Sequence, residues 1–233
     1  MTSTLLTFTT ALAALASTIS ATPIQSPYSP ELPLSSSYRL YINRTTDLDF
    51  STNPLNGQYL TAVRAGATLN APTITNLSSD AAIFSTTTHQ TTQLSRTLSA
   101  NYTFAPFSIF MSDAATPVAL NPHVLNLGIN AGNGTEGVYP SGNVCTSMAT
   151  PKVGTFAVCD QVFDAYTHPR WLVVFIEGGE ENLPSGGECV PVNLVPECDA
   201  YDPLAGTDGE GRVAETRCWT DVKSVADWAA YGC

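Results

Sequence analysis

The chain has 233 residues, a formal charge of −11 at pH 7, and only nine Lys and Arg against 20 Asp and Glu. A surface of this sign repels nucleic acid and anionic lipid, so the composition argues against both as partners. The length suits one ordinary domain with a hydrophobic core, or two small domains.

The N-terminus has the pattern of a secretory signal peptide. Residues 5–16 are mostly apolar and carry no charge, and small residues suited to cleavage occur at Ala14-Leu15-Ala16 and at Ser20-Ala21. Signal peptidase recognises such a pattern, whereas a membrane anchor would need roughly 20 apolar residues. We therefore expect a signal peptide at 1–21, followed by an extended, poorly ordered Pro- and Ser-rich lead-in at 22–37.

From Tyr38 onward the sequence has the pattern of a β protein. Short apolar or alternating runs are separated by Gly, Asn and Pro, which favours an antiparallel β-sandwich or barrel, including a β-trefoil-like form. The runs are 38–42, 59–63, 73–75, 82–85, 102–104, 107–111, 118–120, 124–127, 154–159, 171–176 and 188–192. The Val and Ile content of 171–176 predicts a buried central strand.

The C-terminal region is expected to end in one helix. Residues 199–212 are acidic and Gly-rich, which indicates a loop. Five apolar residues after it recur at helical spacing: Trp219, Val222, Val225, Ala226 and Ala229. Because this spacing would place them on one face of a helix, we expect a single β-rich domain at 38–233 that closes with this helix.

The cysteines all lie in the C-terminal part of the chain, within 145–233. They are Cys145, Cys159, Cys189, Cys198, Cys218 and Cys233. Six cysteines allow fifteen pairings, and neighbouring strands would bring Cys159 and Cys189 together, so this is the preferred bridge. A helix would hold Cys218 and Cys233 roughly 15 Å apart, more than a disulfide spans, so each should pair with Cys145 or Cys198.

Metal and cofactor chemistry has no motif in this sequence. Cys-x-x-Cys is absent and the three His residues are scattered, whereas zinc sites place their ligands in close pairs. Structural disulfides are therefore expected, with no metal and no cofactor.

Four sequons of the form Asn-x-Ser/Thr occur, at Asn43, Asn76, Asn101 and Asn133. Because the leader predicts secretion, we expect at least two of them to carry glycans on surface loops.

No catalytic motif emerges from the sequence. The histidines His89, His123 and His168 have no acid or nucleophile pattern beside them, so exposed loop positions are favoured for all three. A weaker candidate is the carboxylate group Glu177, Glu180 and Glu181, which follows the apolar run 171–176. With Tyr166 and Trp171 nearby, such acids would suit a glycosidase, although acids in a Gly-rich turn more often mark a solvated hairpin tip.

Several segments, taken in order, resemble small secreted proteins of filamentous fungi. They are 56–60 (Asn-Gly-Gln-Tyr-Leu), 66–71, 80–84, 154–159, 171–174 and 187–192. The likeness covers about 38–198 and includes cell-wall proteins of the phialide-associated type; β-trefoil sugar-binding domains share the Gly-x-Tyr-Leu element. The resemblance implies a secreted, glycosylated, mostly β wall or surface protein and carries no catalytic residues.

Together these patterns predict a secreted, extracellular or cell-wall protein without enzymatic activity. Its expected partner is cell-wall polysaccharide, with Tyr166 and Trp171 as candidate contacts, although core packing is favoured for Trp171. Two alternatives stay open: an extracellular carboxylate-dependent hydrolase of the glycosidase type, and a secreted effector that binds a host protein. The sequence gives no indication of oligomeric state.

Overall fold

The structure, a computed structural model, describes residues 32–44, 55–65, 69–96, 107–112, 122–141, 148–162, 169–184, 189–201, 213–225 and 227–228. Strands make up 59% of this part of the chain, so the mainly β class is confirmed. The strands are β1 (Leu34–Ser35), β2 (Tyr38–Arg44), β3 (Tyr59–Arg64), β4 (Leu69–Thr75), β5 (Ile83–Thr87), β6 (Thr92–Arg96), β7 (Phe107–Ser112), β8 (Val124–Ala131), β9 (Tyr139–Pro140), β10 (Met148–Ala149), β11 (Gly154–Val162), β12 (Pro169–Glu177), β13 (Cys189–Cys198), β14 (Val213–Ala214) and β15 (Thr216–Arg217). Single turns of 3-10 helix lie at Ser78–Asp80, Glu180–Asn182 and Val222–Ser224.

The sheet closes into a nine-stranded antiparallel barrel. Around the ring the order is β2, β5, β6, β7, β8, β4, β12, β11 and β13, and β13 returns to β2. The closing pair is long, because β2 and β13 stay in register from Tyr38↔Cys198 to Arg44↔Val192. Strand β3 joins as the hairpin partner of β4.

The barrel interior is a packed hydrophobic core. Side chains alternate across each strand, so Tyr38, Leu40 and Ile42 of β2 point inward and meet Val173 and Phe175 of β12 in one cluster. Each fully buried apolar side chain contributes about 1.5–3 kcal/mol. Strand β12 is buried on both faces, which confirms the prediction of a buried central strand at 171–176.

Two disulfides tie the described strands together. Cys159 lies opposite Cys189 in the β11–β13 register, and the predicted bridge between them is confirmed. The second bridge joins Cys198 to Cys218, one of the pairings that the sequence left open. Disulfides persist in oxidising compartments, so the chain belongs in such an environment. The remaining cysteines, Cys145 and Cys233, lie outside the described residues.

The predicted C-terminal helix is wrong for the described residues up to 228, which contain no α-helix. The chain is extended at Trp219, which forms a parallel bridge with Glu197, and only Val222–Ser224 makes a helical turn. The physical reason is that tertiary contacts override the local helical pattern. The Cys198–Cys218 bridge and the hydrogen bond from Cys198 N to the Trp219 carbonyl (2.8 Å) hold this stretch against β13.

The described end of the lead-in is attached to residues 216–218 rather than to a strand of the barrel. Strand β1 pairs with β15, and the Pro33 carbonyl accepts a hydrogen bond from Cys218 N at 3.1 Å. The signal peptide predicted at 1–21 lies outside the described residues. Among those that are described, no helix has the length and apolar character needed to span a membrane.

Candidate functional site

The hairpin between β5 and β6 projects from one end of the barrel, and we call residues 87–91 the hairpin tip. Thr87 N donates to the Thr91 carbonyl at 2.9 Å, and Gln90 N donates to the Thr87 carbonyl at 3.0 Å. Such three-residue loops place their last residue in the left-handed region, where glycine is usual. Gln90 occupies that position with φ of 56°, at a cost of about 1–2 kcal/mol.

A buried network of hydroxyl groups lies beneath the hairpin tip. The Tyr38 hydroxyl is 3.1 Å from Thr86 Oγ1 and 3.3 Å from Thr92 Oγ1. Thr216 donates to Thr86 Oγ1, and Thr92 donates to the Val138 carbonyl, each at 2.8 Å. Burial raises the pKa of Tyr38 to about 12, so this hydroxyl stays neutral. The network therefore joins the hairpin, β2 and β15 without introducing charge.

A cleft of about 600 Å³ opens on one side of the hairpin tip, and we call it the wide cleft. One wall consists of residues 86–88 and 90, and a second consists of residues 139–141. The third wall consists of residues 214–217, with Leu34 beside them. Thr86, Thr87 and Thr216 are buried and their hydroxyls are hydrogen-bonded internally. The exposed Thr88 hydroxyl and Gln90 amide therefore supply the neutral donors and acceptors of the cleft. Tyr139 supplies a partly exposed ring, while Glu215 and Arg217 carry opposite charges. Such a lining can hydrogen-bond a neutral polar ligand and stack against one of its faces.

A second cleft of about 420 Å³ lies on the other side of the tip, and we call it the narrow cleft. Its described lining is Thr87, His89, Thr91, Gln93, Asn133, Gly134 and Glu136. Gly134 has φ of +79°, and a Cβ there would come within 2.6 Å of Ser108 Cβ. Glycine is therefore required for the Asn133 loop to lie this close to β7.

The candidate sugar contacts from the sequence lie elsewhere. Trp171 shares a face of β12 with Val173 and Phe175 and packs against the barrel core, so it lines neither cleft. Tyr166 lies outside the described residues. The residues of the wide cleft, chiefly Gln90 and Tyr139, were missed because turns and two-residue strands leave no periodic pattern.

The carboxylates of the glycosidase alternative are solvated and also line neither cleft. Glu177 ends β12 and forms an ion pair with Lys152 at 3.2 Å, with both side chains substantially exposed. Glu180 and Glu181 lie in the exposed 3-10 turn that follows. Their position matches a solvated hairpin end rather than an enclosed acid pair. In the described part of the chain, no cluster of His, Cys, Asp or Glu could hold a metal ion.

The two described histidines are exposed to solvent. His89 is exposed on the hairpin tip, His123 is exposed in the turn before β8, and His168 lies outside the described residues.

Among the predicted glycosylation sites, Asn76 and Asn133 are exposed, whereas Asn43 is only 4% exposed within β2. A glycan on Asn43 would have to displace the residues that cover it. Asn101 lies outside the described residues.

An aromatic cluster, which we call the aromatic anchor, covers the outer face of β2 and β3: Tyr41, Tyr59, Trp219 and Trp228. Trp219 and Trp228 meet edge to face at 5.2 Å between ring centroids, as Tyr41 and Tyr59 do at 5.6 Å. The Tyr59 hydroxyl hydrogen-bonds buried Glu197, and burial above all raises the pKa of Tyr59 well beyond its usual range. These rings pack against one another rather than form an open surface. They thereby fasten the C-terminal segment, as we call residues 213–225 and 227–228, to the outer face of the barrel.

Comparison with known proteins places the barrel in a family. Residues 35–198 match the model of a family described as a domain of unknown function (DUF7907). No curated protein and no solved structure gave a match. The match runs from β1 to the end of β13, so the third wall of the wide cleft comes from residues beyond it.

Proposed function

The chain belongs to the DUF7907 family, and we propose that it is a secreted, non-enzymatic carbohydrate-binding protein whose sugar site is the wide cleft. The observation that carries the proposal is the cleft lining. The exposed Thr88 hydroxyl and Gln90 amide and the partly exposed Tyr139 line the same cleft of about 600 Å³. Sugars offer the matching chemistry, since their hydroxyls hydrogen-bond and their ring faces stack on aromatics.

The charge of the cleft favours a neutral sugar. Glu215 and Arg217 are the charged residues among its described lining, and their charges cancel. The chain as a whole carries −11, which would repel an acidic polysaccharide. Neutral polymers of the cell wall, such as chitin, β-glucan and cellulose, are therefore the proposed ligands.

Two further observations support the extracellular part of the proposal. The disulfides require an oxidising environment, and the leader at 1–21 has the pattern of a signal peptide. The resemblance to small secreted fungal wall proteins adds residence in or on the cell wall. Glycosylation at the exposed sequons Asn76 and Asn133 belongs to the same proposal.

Hydrolysis of a bound sugar is less favoured for this cleft than binding alone. Most glycosidases need two carboxyl groups flanking the scissile bond, and Glu215 is the one carboxylate in the described lining. The acids Glu177, Glu180 and Glu181 line neither cleft. Among its described residues, the cleft therefore has the groups for holding a sugar but not the acid pair for cleaving it.

The test is co-sedimentation of the purified protein with chitin, β-glucan and cellulose, with the supernatant assayed for released sugar. We expect retention on at least one polymer without release. Tyr139→Ala should weaken retention about three- to tenfold, the size of one stacking contact. Tyr139→Phe should bind as the wild type does, because it keeps the ring.

Three results would count against the proposal. Release of sugar would replace it with the hydrolase. Retention that is equal for wild type and Tyr139→Ala would move the site away from the wide cleft. Failure to bind any of the polymers would leave a host-protein partner as the better account.

A further inference from the structure

We propose that the first N-acetylglucosamine of a glycan on Asn133 lies in the narrow cleft and joins the Asn133 loop to the hairpin tip. The proposal rests on secretion, which is part of the proposed function, but not on sugar binding in the wide cleft. It assigns the two clefts different occupants: an external polysaccharide in one, and a covalently attached sugar in the other.

The position of Asn133 relative to the hairpin tip is set by several backbone contacts. Thr135 N donates to the Ile109 carbonyl at 3.0 Å, and Thr135 Oγ1 accepts from Met111 N at 2.9 Å. Gly137 N donates to the Gln90 carbonyl at 3.0 Å, directly across to the tip. Because Asn133 is exposed and itself lines the cleft, a sugar bonded to its side chain starts at the cleft edge.

The narrow cleft has the chemistry for such a sugar. At about 420 Å³ it lies within the size range of small-molecule sites. The partly exposed Gln93 amide offers neutral hydrogen-bonding groups for hydroxyl and acetamido substituents. The Thr87 and Thr91 hydroxyls form the buried floor of the cleft, where they hydrogen-bond each other at 2.7 Å. His89 and Glu136 complete the polar lining at the mouth.

The exposed sequon at Asn76 provides a matched control. It follows β4, just before the 3-10 turn Ser78–Asp80, and it lines neither cleft. A glycan at Asn76 would therefore extend into solvent, whereas one at Asn133 has a polar cleft beside it.

The test uses the full chain made in a eukaryotic secretory pathway, in four forms: intact, trimmed by an endoglycosidase to one N-acetylglucosamine per site, Asn133→Gln and Asn76→Gln. Peptide mass mapping establishes occupancy, and amide hydrogen exchange is followed across residues 87–93. The first sugar alone should protect the tip, so the intact and trimmed proteins should exchange equally slowly. Asn133→Gln should exchange about two- to tenfold faster, the effect of one lost hydrogen bond, and Asn76→Gln should not differ from wild type.

Three outcomes would overturn the inference: an unmodified Asn133, exchange in Asn133→Gln equal to wild type, or trimmed protein that exchanges as fast as Asn133→Gln. The last would mean that outer sugars merely shield the tip. Retention of Asn133→Gln on the polysaccharides distinguishes sugar binding in the wide cleft from the glycan contact in the narrow cleft. Retained binding with unchanged exchange rejects only the glycan contact, and protein that stays absent from the medium rejects secretion itself.

Discussion

The barrel and the C-terminal segment (residues 213–225 and 227–228) are held by different means. The barrel has one continuous core and long registers; β11 and β12 alone pair over nine residues. The C-terminal segment has two-residue strands, one disulfide and the aromatic anchor. Regions with few buried contacts open at lower free energy than the core, so the segment should open locally while the barrel stays folded.

This difference matters because the wide cleft is built from both regions. The hairpin tip belongs to the barrel and Tyr139 to the small β9–β10 sheet, whereas residues 214–217 belong to the C-terminal segment. Thr216 joins them through its hydrogen bond to Thr86. Binding in the wide cleft should therefore depend on the less stable region, even where the barrel itself is unaffected.

The largest effect should come from the barrel core. Phe175 is 1% exposed and meets Phe156 edge to face at 5.3 Å. Phe175→Ala should lower the free energy of unfolding by about 3–5 kcal/mol, the usual cost of such a cavity, as measured by denaturant titration. Val153→Ala, at a residue 84% exposed, should change it by less than about 0.5 kcal/mol. Similar values for both variants would contradict the proposed core.

Removal of the Cys198–Cys218 bridge should affect the segment rather than the barrel. The bridge spans 20 residues, and closing a loop of this size stabilises by about 3 kcal/mol. The double variant Cys198→Ala/Cys218→Ala should lose exchange protection across 213–225 and lose polysaccharide retention, while β11 and β12 keep their protection. Exchange that rises uniformly across the chain would show that barrel and segment unfold as one unit.

Alkaline pH should destabilise the buried hydroxyl network, through which Tyr38 of the barrel and Thr216 of the C-terminal segment are joined by Thr86. The pKa of Tyr38 is raised by burial from 10.0 to about 12. The folded state therefore holds a proton that the unfolded state releases, so stability is complete below pH 10 and falls as pH rises toward 12. At pH 11 the free energy of unfolding should be lower by about 1.4 kcal/mol because of Tyr38 alone. Denaturant titrations at pH 8 and pH 11 measure this difference.

The control for the alkaline effect is Tyr38→Phe, which removes the titrating hydroxyl. The loss of stability between pH 8 and pH 11 should shrink in this variant. It should not vanish, because burial also raises the pKa of Tyr41 and Tyr59 in the aromatic anchor. An unchanged loss would mean that Tyr38 titrates normally.

The smallest effect should come from the strained residue in the hairpin tip. Gln90→Gly should raise the free energy of unfolding by about 1 kcal/mol, because glycine adopts a φ of 56° without strain. The same change removes an amide from the wide cleft, so polysaccharide retention should fall. Gln90→Asn, which tolerates this conformation and keeps an amide, should retain more binding than Gln90→Gly. Lower stability of the glycine variant would contradict the strain.

Period-two patterning made much of the barrel predictable from sequence. Tyr38–Arg44 and Val124–Ala131 form strands where alternation was visible, and the Cys159–Cys189 bridge followed from the strand order. The predicted helix was wrong for the described residues because Trp219 and Val222, which have helical spacing, are buried instead against the outer face of the barrel. Local propensity was overridden there by a disulfide and a β-bridge.

The site was less predictable than the fold. The cleft brings together Gln90, Tyr139 and Arg217, which are far apart in sequence and lie in turns or two-residue strands. Trp171, the described one of the two aromatic residues that looked suited to stacking on a sugar, instead packs against the barrel core. Large aromatics bury well, so their presence alone does not distinguish a core from a binding surface.

The most direct test of the account is a map of backbone amide chemical shifts during titration with soluble chitin, β-glucan and cellulose oligosaccharides. A sugar site in the wide cleft predicts that one of these ligands shifts the signals of 86–90, 139, 141 and 214–217 together, with the aromatic anchor unaffected. Shifts confined to the barrel walls, or centred on the aromatic anchor, would contradict a sugar site shared between the barrel and the C-terminal segment.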